Sequence, residues 1–426
     1  MHDYIAKFKE YSKLPYEEAV KILPQIRDNT NYDESLIPEY TLPSALDIVP
    51  GRKVRTAMDW QTFGRPAMLK LFSEQMYGKI LPRPDALSFQ ILSQKDDALD
   101  GIAIRQEIRV TSTMANGQSF SFDLLFYAPK SALDKPVPAF VGLNFKGNHA
   151  TTKETDVKMT GHKFGNPAMF EESTRGIQAE RWSFKELVKR GYASVTACYH
   201  DIFPDRINGW YESALALFEN NLEGRVGSHE HYTSIGVWAW GLSRMMDFLE
   251  SSPFVDALRV GVHGHSRLGK TALWTGAIDQ RFRLVISNCS GCGGAALARR
   301  MLGETYPFIC NVFPSWFVKS FRQYMGHEEE MPFDQHELIA LAAPRAVAVA
   351  SATEDLWADP KGEFLAAKAA EEVYALFGSK GLPATEFPPP DTAVSGDISY
   401  HVHTGKHDQT LFDWNHYMEL ADTYLN

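Results

Sequence analysis

From residue 137 to the C-terminus, six short apolar runs alternate with stretches of helix length: residues 139–143, 193–197, 260–262, 284–287, 346–350 and 398–403. Strands that are almost continuously apolar and separated by helices belong to a parallel sheet covered on both faces, because neither side is left for water. Before them the hydrophobic period is two, over residues 102–110 and 120–127, on either side of Asn116-Gly117, a dipeptide suited to a tight hairpin turn. The chain therefore reads as α/β, a three-layer α/β/α sandwich with a mostly parallel central sheet entered through an antiparallel N-terminal hairpin. Residues 1–80 read as a helical and extended segment packed on the body, with helices opening at Tyr16 and Arg65. Residues 81–426 read as one domain, with polar excursions near 148–180 and 200–232 expected over the carboxyl edge of the sheet, where sites form.

Within this pattern, one stretch carries chemistry. The run Arg259-Val260-Gly261-Val262-His263 ends in Gly264-His265-Ser266 and passes at once into Arg267-Leu268-Gly269-Lys270-Thr271. A buried strand turning this sharply into a helix lifts a serine hydroxyl above the sheet edge and aims free helix N–H groups at the same place, the geometry of a nucleophile elbow. The usual G-x-S-x-G spacing is only partly met, since the second glycine comes one residue late, as Gly269. A serine opening a helix serves equally well as an N-cap, so its partners decide its role.

An antiparallel hairpin, a parallel sheet and a serine elbow in its middle make the α/β-hydrolase layout, in which acid and histidine follow the nucleophile in that order. Of fourteen histidines, only His401, His403, His407 and His416 lie beyond the start of the last strand. His401 and His403 alternate along that strand and His416 falls in the terminal helix, which leaves His407, in the loop just after it, as general base. The run at 346–351 leads into Glu354 and Asp355; Asp355 is the expected acid, Glu354 its rival, and Asp359 suits a cap for the helix opening at Pro360. In this arrangement His407 takes the Ser266 proton, the serine attacks a carbonyl, and water later releases the acyl group. The Arg267 backbone N–H is the expected oxyanion donor, and its guanidinium stands close enough to steady negative charge or bind an acidic substrate. Lys270 suits either donation to substrate hydroxyls or solvation of the helix, and Trp357 either stacking on a sugar ring or ordinary core packing.

Composition narrows the partners. A net charge of −10 disfavours nucleic acid and anionic membranes, and no apolar run is long enough to span a bilayer. Residues 1–7 lack the apolar centre of a signal peptide, so the chain is expected either in the cytoplasm or after removal of a presequence. Four cysteines make no disulfide framework at this size, and Cys289 and Cys292, though spaced C-x-x-C, have no second pair or ligand histidine nearby; no metal is expected.

Gly264-His265-Ser266-Arg267-Leu268-Gly269-Lys270 resembles the G-x-S-R-x-G-K signature of glucuronoyl esterases, carbohydrate esterase family fifteen. Tyr32-Asp33-Glu34, residues 238–244, residues 290–297, Trp357-Ala358-Asp359-Pro360 and Gly405-Lys406-His407-Asp408 are similar to its bacterial branch. The resemblance implies hydrolysis of esters between glucuronic acid, often 4-O-methylated on xylan, and an alcohol such as those of lignin, without a cofactor. It carries the nucleophile to Ser266, the base to His407, the oxyanion arginine to Arg267, and sugar contacts to Lys270 and Trp357; Glu354, as the rival of Asp355, is expected among the substrate-binding residues. It also implies a plant cell-wall substrate, which favours a secreted or periplasmic enzyme, with the cytoplasm as the alternative; separately, the chain is expected to be a monomer. Two positions depart from the fungal pattern: Cys289 stands where a catalytic glutamate is usual, and His265 where a disulfide-bonded cysteine is. A cysteine cannot orient the histidine as a carboxylate does, which returns the acid to the Asp355 loop. The competing expectations are a related carbohydrate esterase, such as an acetyl-xylan esterase, and a carbohydrate-binding protein on a hydrolase scaffold that has lost catalysis.

Overall fold

The computed structural model describes residues 16–162, 170–206, 209–218 and 230–426, with Lys7, Glu10 and Leu14 before them. Parts of both expected excursions, residues 163–169, 207–208 and 219–229, lie outside the described residues, as does the stretch 1–6 on which the signal-peptide reading rests.

Ten strands form one sheet in the order β1-β2-β3-β5-β4-β6-β7-β8-β10-β9. The antiparallel part is β1 (Ala86–Asp97), β2 (Ala103–Thr113) and β3 (Ser119–Pro129), and the β2–β3 turn falls at Asn116-Gly117 as the dipeptide predicts. The parallel part is β4 (Val137–Asn144), β5 (Ala193–Cys198), β6 (Val255–His265), β7 (Leu284–Asn288), β8 (Ala346–Ala352) and β10 (Ile398–His403), one strand for each apolar run. β5 also pairs antiparallel with β3, which joins the two parts. The three-residue β9 (Thr392–Val394) lies at the far edge and was not expected from the sequence; a strand this short exposes few unpaired groups, which keeps the edge from templating another chain.

The continuous apolar runs are explained by what each face meets. Successive strand residues point to opposite sides, and here Leu284, Ile286, Ala346, Ala348 and Ala350 enter one core while Val285, Val347 and Val349 enter the other. The helices that matter for the site are α1 (Arg65–Phe72), α2 (Ser234–Ser251), α3 (Arg267–Ile278), α4 (Gln335–Ala340), α5 (Pro360–Ala369) and α6 (Leu411–Tyr424). Trp414, Tyr417 and Met418 of α6 fill the first core, and side chains of α2 and α3 fill the second. Among the described residues no helix is long and apolar enough to cross a membrane.

The N-terminal segment is fastened to the C-terminal half of the chain. The N–H of Gly303 donates to the Asn31 carbonyl at 2.9 Å, Arg300 donates to Glu34 at 2.9 Å, and Glu372 accepts from the Ala45 N–H at 2.6 Å and the Ser44 hydroxyl at 2.9 Å. This clamp brings the short helix Leu23–Asp28 to the edge of the site.

Candidate active site

The site lies along the carboxyl edge of four neighbouring strands. The register pairs His265 with Asn288, Asn288 with Ala350, and His403 with Ala352, so the segments leaving β6, β7, β8 and β10 emerge at one level. Residues distant in sequence are brought together by this alone.

Ser266 sits between β6 and α3 with φ 58° and ψ −129°. A non-glycine residue held there costs about 1–3 kcal/mol and persists only where its surroundings fix it. Here its N–H donates to the Asn288 carbonyl at 2.8 Å, while its own carbonyl accepts from Gly269 and Lys270 at 2.8 and 3.2 Å. The two glycines permit the crossing: a Cβ on Gly264 would lie 1.9 Å from the Leu268 carbonyl oxygen, and one on Gly269 would lie 3.0 Å from that of Gly264. The late second glycine is therefore where the first turn of α3 passes over the strand end. Arg267 and Leu268 carry first-turn N–H groups, which have no intrahelical acceptor and point toward the positive end of the helix dipole.

His407 follows β10, and its Nδ1 lies 2.5 Å from Asp355 Oδ2. Asp355 is buried, its side chain 5% exposed, whereas that of His407 is 40% exposed. The two loops are also joined through their backbones, Glu354 N–H donating to the Gly405 carbonyl at 2.8 Å and Thr353 N–H to the His403 carbonyl at 2.9 Å. Glu354, the rival, is solvent-exposed and stands outside the cavity wall, so the contact with His407 falls to Asp355. The reason is local: the turn after β8 sends consecutive side chains to opposite sides, one to the loop of His407 and one to water. Asp359 accepts the Gly362 N–H at 2.9 Å as the cap of α5, and also binds Arg300 at 2.8 Å.

Ser266, His407 and Asp355 share a cavity of about 430 Å³ with Arg267, Lys270, Trp357 and Cys289. The Arg267 guanidinium is fixed on three sides: Nη1 donates to Asp205 at 2.5 Å, and its carbon lies 4.7 Å from the Phe313 ring centre and 4.8 Å from that of Trp316. Those rings stack 4.0 Å apart, and the Trp316 indole N–H donates to the other Asp205 oxygen at 2.9 Å. Burial opposes the Arg267 charge, but Tyr199 and Asp205 more than offset it and hold the guanidinium pKa above its ordinary value. Lys270, 3% exposed, donates to the Ser290 carbonyl at 2.5 Å and lies 3.3 Å from Glu304. Trp357 packs edge-on to Phe308 with centroids 4.9 Å apart and leaves a face beneath the Arg27 guanidinium, 5.8 Å away.

Cys289 lines the same wall, its thiol donating to the Asp408 carbonyl at 3.8 Å. Its sulfur, the Asp355 carboxylate and the His407 ring offer atoms within 4.8 Å of one another, a set that is chemically able to hold a cation. Two of the three donors are already bonded to each other, and burial pushes the Cys289 thiol well above its ordinary pKa, away from the thiolate a metal requires. The set fits a histidine–carboxylate pair better than a metal centre.

Several wall residues were not found from sequence: Arg27, Glu304, Phe308, Phe313 and Trp316, and Asp205 behind Arg267. They come from the N-terminal helix and from connections between strands, where no periodicity or motif marks them. Glu363, on α5, was also missed: it accepts the N–H groups of Ser290 and Gly291 at 2.8 and 2.9 Å and the Ser351 hydroxyl at 2.5 Å, fixing the loop under the cavity, and burial raises its carboxyl to about 8.

The family model for glucuronyl esterases of fungi matches residues 226–378. The chain is 43% identical over 406 residues to carbohydrate esterase MZ0003 from an unknown prokaryotic organism, covering 93% of this chain and 92% of that protein. It is 34% identical over 161 residues to a 4-O-methyl-glucuronoyl methylesterase of Schizophyllum commune, 36% of this chain and 41% of that one. Among solved structures, a promiscuous CE15 esterase from a marine bacterial metagenome superposes with a TM-score of 0.84 at 43% identity, over 93% of this chain and all (100%) of that one. A glucuronoyl esterase from Solibacter usitatus gives 0.85 at 39% identity, over 92% of this chain and 100% of that one.

Proposed function

The chain belongs to carbohydrate esterase family 15, the glucuronoyl esterases, and on that premise we propose that Ser266, His407 and Asp355 open esters of 4-O-methyl-glucuronic acid carried on xylan. It is a carboxylic ester hydrolase of the α/β-hydrolase fold acting on a glucuronate ester. The observation that carries the residue assignment is the 2.5 Å contact between His407 Nδ1 and Asp355, in one cavity with a serine on a strained strand-to-helix turn.

With Nδ1–H donated to Asp355, His407 presents a basic Nε2 to the serine side. It takes the Ser266 proton as Oγ attacks the ester carbon, and returns that proton to the departing alcohol as the C–O bond breaks. A water then repeats the path on the acyl-enzyme and releases the glucuronate. Asp355 stays ionised throughout, holding the tautomer and steadying the imidazolium. The negative charge developing on the carbonyl oxygen meets the first-turn N–H groups of α3 and the fixed Arg267 guanidinium, which needs no reorganisation at the moment of reaction. Lys270 and Glu304 suit hydroxyls of the sugar ring, and Trp357 suits its apolar face. A polymer of the plant cell wall does not cross membranes, which supports action outside the cell or in the periplasm.

A methyl ester of glucuronic acid and an acetylated xylose oligomer, assayed side by side, separate this reading from an acetyl esterase. A higher kcat/KM is expected for the glucuronate ester, and a preference for the acetyl group would overturn it. Because one relative is described as promiscuous, measurable acetyl turnover at lower kcat/KM is expected too.

Arg27 gives a second test. Its guanidinium lies over Trp357 in the cavity wall, where it suits binding of the substrate, so Arg27→Ala is expected to raise KM about fivefold, roughly 1 kcal/mol, with kcat retained. A fall in kcat at constant KM would place Arg27 in the chemical step instead.

A further inference from the structure

His403, the other late histidine on the same strand, is used at both ring nitrogens. Nδ1 lies 3.1 Å from Asp413 Oδ1, and Nε2 lies 3.3 Å from the Lys406 carbonyl oxygen. Both partners are acceptors, and a neutral imidazole carries one N–H, so acceptors on opposite sides of the ring are both satisfied only by the imidazolium. Asp413 supplies the opposite charge. Its Oδ1 also accepts from His401 Nε2 at 2.7 Å, and its Oδ2 accepts the N–H and hydroxyl of Thr410 at 2.6 and 2.8 Å, so the carboxylate is bonded from both neighbouring elements.

We propose that His403 is carried as an imidazolium and, through the Lys406 carbonyl, fixes the backbone immediately before His407, which makes it a positioning residue for the catalytic base. The inference rests on His407 being that base. The groups facing His403 are Asp413 from α6, Asp391 from the segment before β9, Asp408 and the Lys406 carbonyl from the loop, and His401 beside it on β10, with His416 beyond His401. Burial opposes the His403 charge, yet Asp413, the Lys406 carbonyl and Asp408 together hold its pKa above 6.5. Asp413 is kept well below the usual carboxylate range, since its bonds from His401 and His403 outweigh its burial.

The sign follows from the direction of that shift. A raised folded-state pKa means the tie is complete below the unfolded value of 6.5 and is lost as pH rises through the folded one. When the proton leaves, the remaining N–H stays with the charged acceptor, Asp413, and the Lys406 carbonyl is released. Turnover is therefore expected to fall on the alkaline side, as His403 lets go of the Lys406 carbonyl.

Two measurements test this. Nitrogen-15 NMR of the wild-type histidine side chains at pH 7 is expected to show both His403 ring nitrogens protonated, with the proton lost only above 6.5; a single protonated nitrogen would overturn the proposal, even if every variant misfolds. His403→Gln is expected to lower plateau kcat about tenfold with KM unchanged, and to remove the alkaline fall in kcat. Wild-type kcat with an unaltered pH profile would overturn it as well. His407→Ala separates the premise: surviving ester turnover there would remove the base assignment, whereas the His403 spectrum would be unchanged.

Discussion

Ser266→Ala is expected to lower kcat/KM by a factor of about 10⁴ or more on a glucuronate ester, with the fold intact. The loss follows from placement: Ser266 is the hydroxyl on the strained turn, and the cavity's remaining groups bind or polarise but do not form an acyl-enzyme. Binding should survive, because Arg267 and Lys270 are held by Asp205, Ser290 and Glu304 and not by the serine. Calorimetry with free glucuronate is therefore expected to give a Kd within a few-fold of wild type. The same site predicts an opposition between activity and stability. At φ 58° a Cβ is strained, so Ser266→Gly should be as inactive as the alanine variant yet more stable by about 1 kcal/mol, read as a higher midpoint in urea. Ester turnover by Ser266→Ala at near wild-type rate would remove the serine mechanism.

The second large effect separates two adjacent carboxylates. Asp355→Ala is expected to reduce kcat by about 10³–10⁴, and Glu354→Ala to change it less than about twofold. Asp355 touches His407 at 2.5 Å and is 5% exposed, so its charge acts on the imidazolium through little solvent. Glu354 is exposed, where water screens its field and nothing in the cavity wall meets it. Asp355→Asn should fall nearly as far as the alanine variant, since an amide can present an N–H to Nδ1 and favour the wrong tautomer. The reverse ranking of Asp355 and Glu354 would reassign the acid.

Much of this site was legible before any coordinates. The glycines at 264 and 269, the serine between them and the histidine after the last strand follow from local rules, because a tight turn needs glycine and a base must stand at the strand end. Cys289 in place of a carboxylate was legible too, through the family resemblance, and it agreed with strand order in leaving the acid to the loop after β8. The stacked pair Phe313 and Trp316, with Asp205 behind Arg267, was not legible. Each belongs to a connection whose path is set by what it packs on, and no spacing relates Asp205 to a guanidinium 62 residues later. Glu363 was hidden for a different reason: inside α5 it has the look of any helical glutamate, and only the two N–H groups above it reveal a buried role.

By itself the sequence determined the parallel sheet, its hairpin entry, the sharp strand-to-helix turn at Ser266 and the placing of Asp355 and His407 after later strands, because hydrophobic period and glycine placement act over a few residues and leave their mark in the chain. Tertiary structure decided that β5 lies between β3 and β4, that Arg27 reaches the cavity, and that His403 and Asp413 brace the loop of His407. Those outcomes depend on register between strands and on which acceptors meet a ring once it is buried. Such facts exist only when residues far apart in sequence are brought within hydrogen-bond reach.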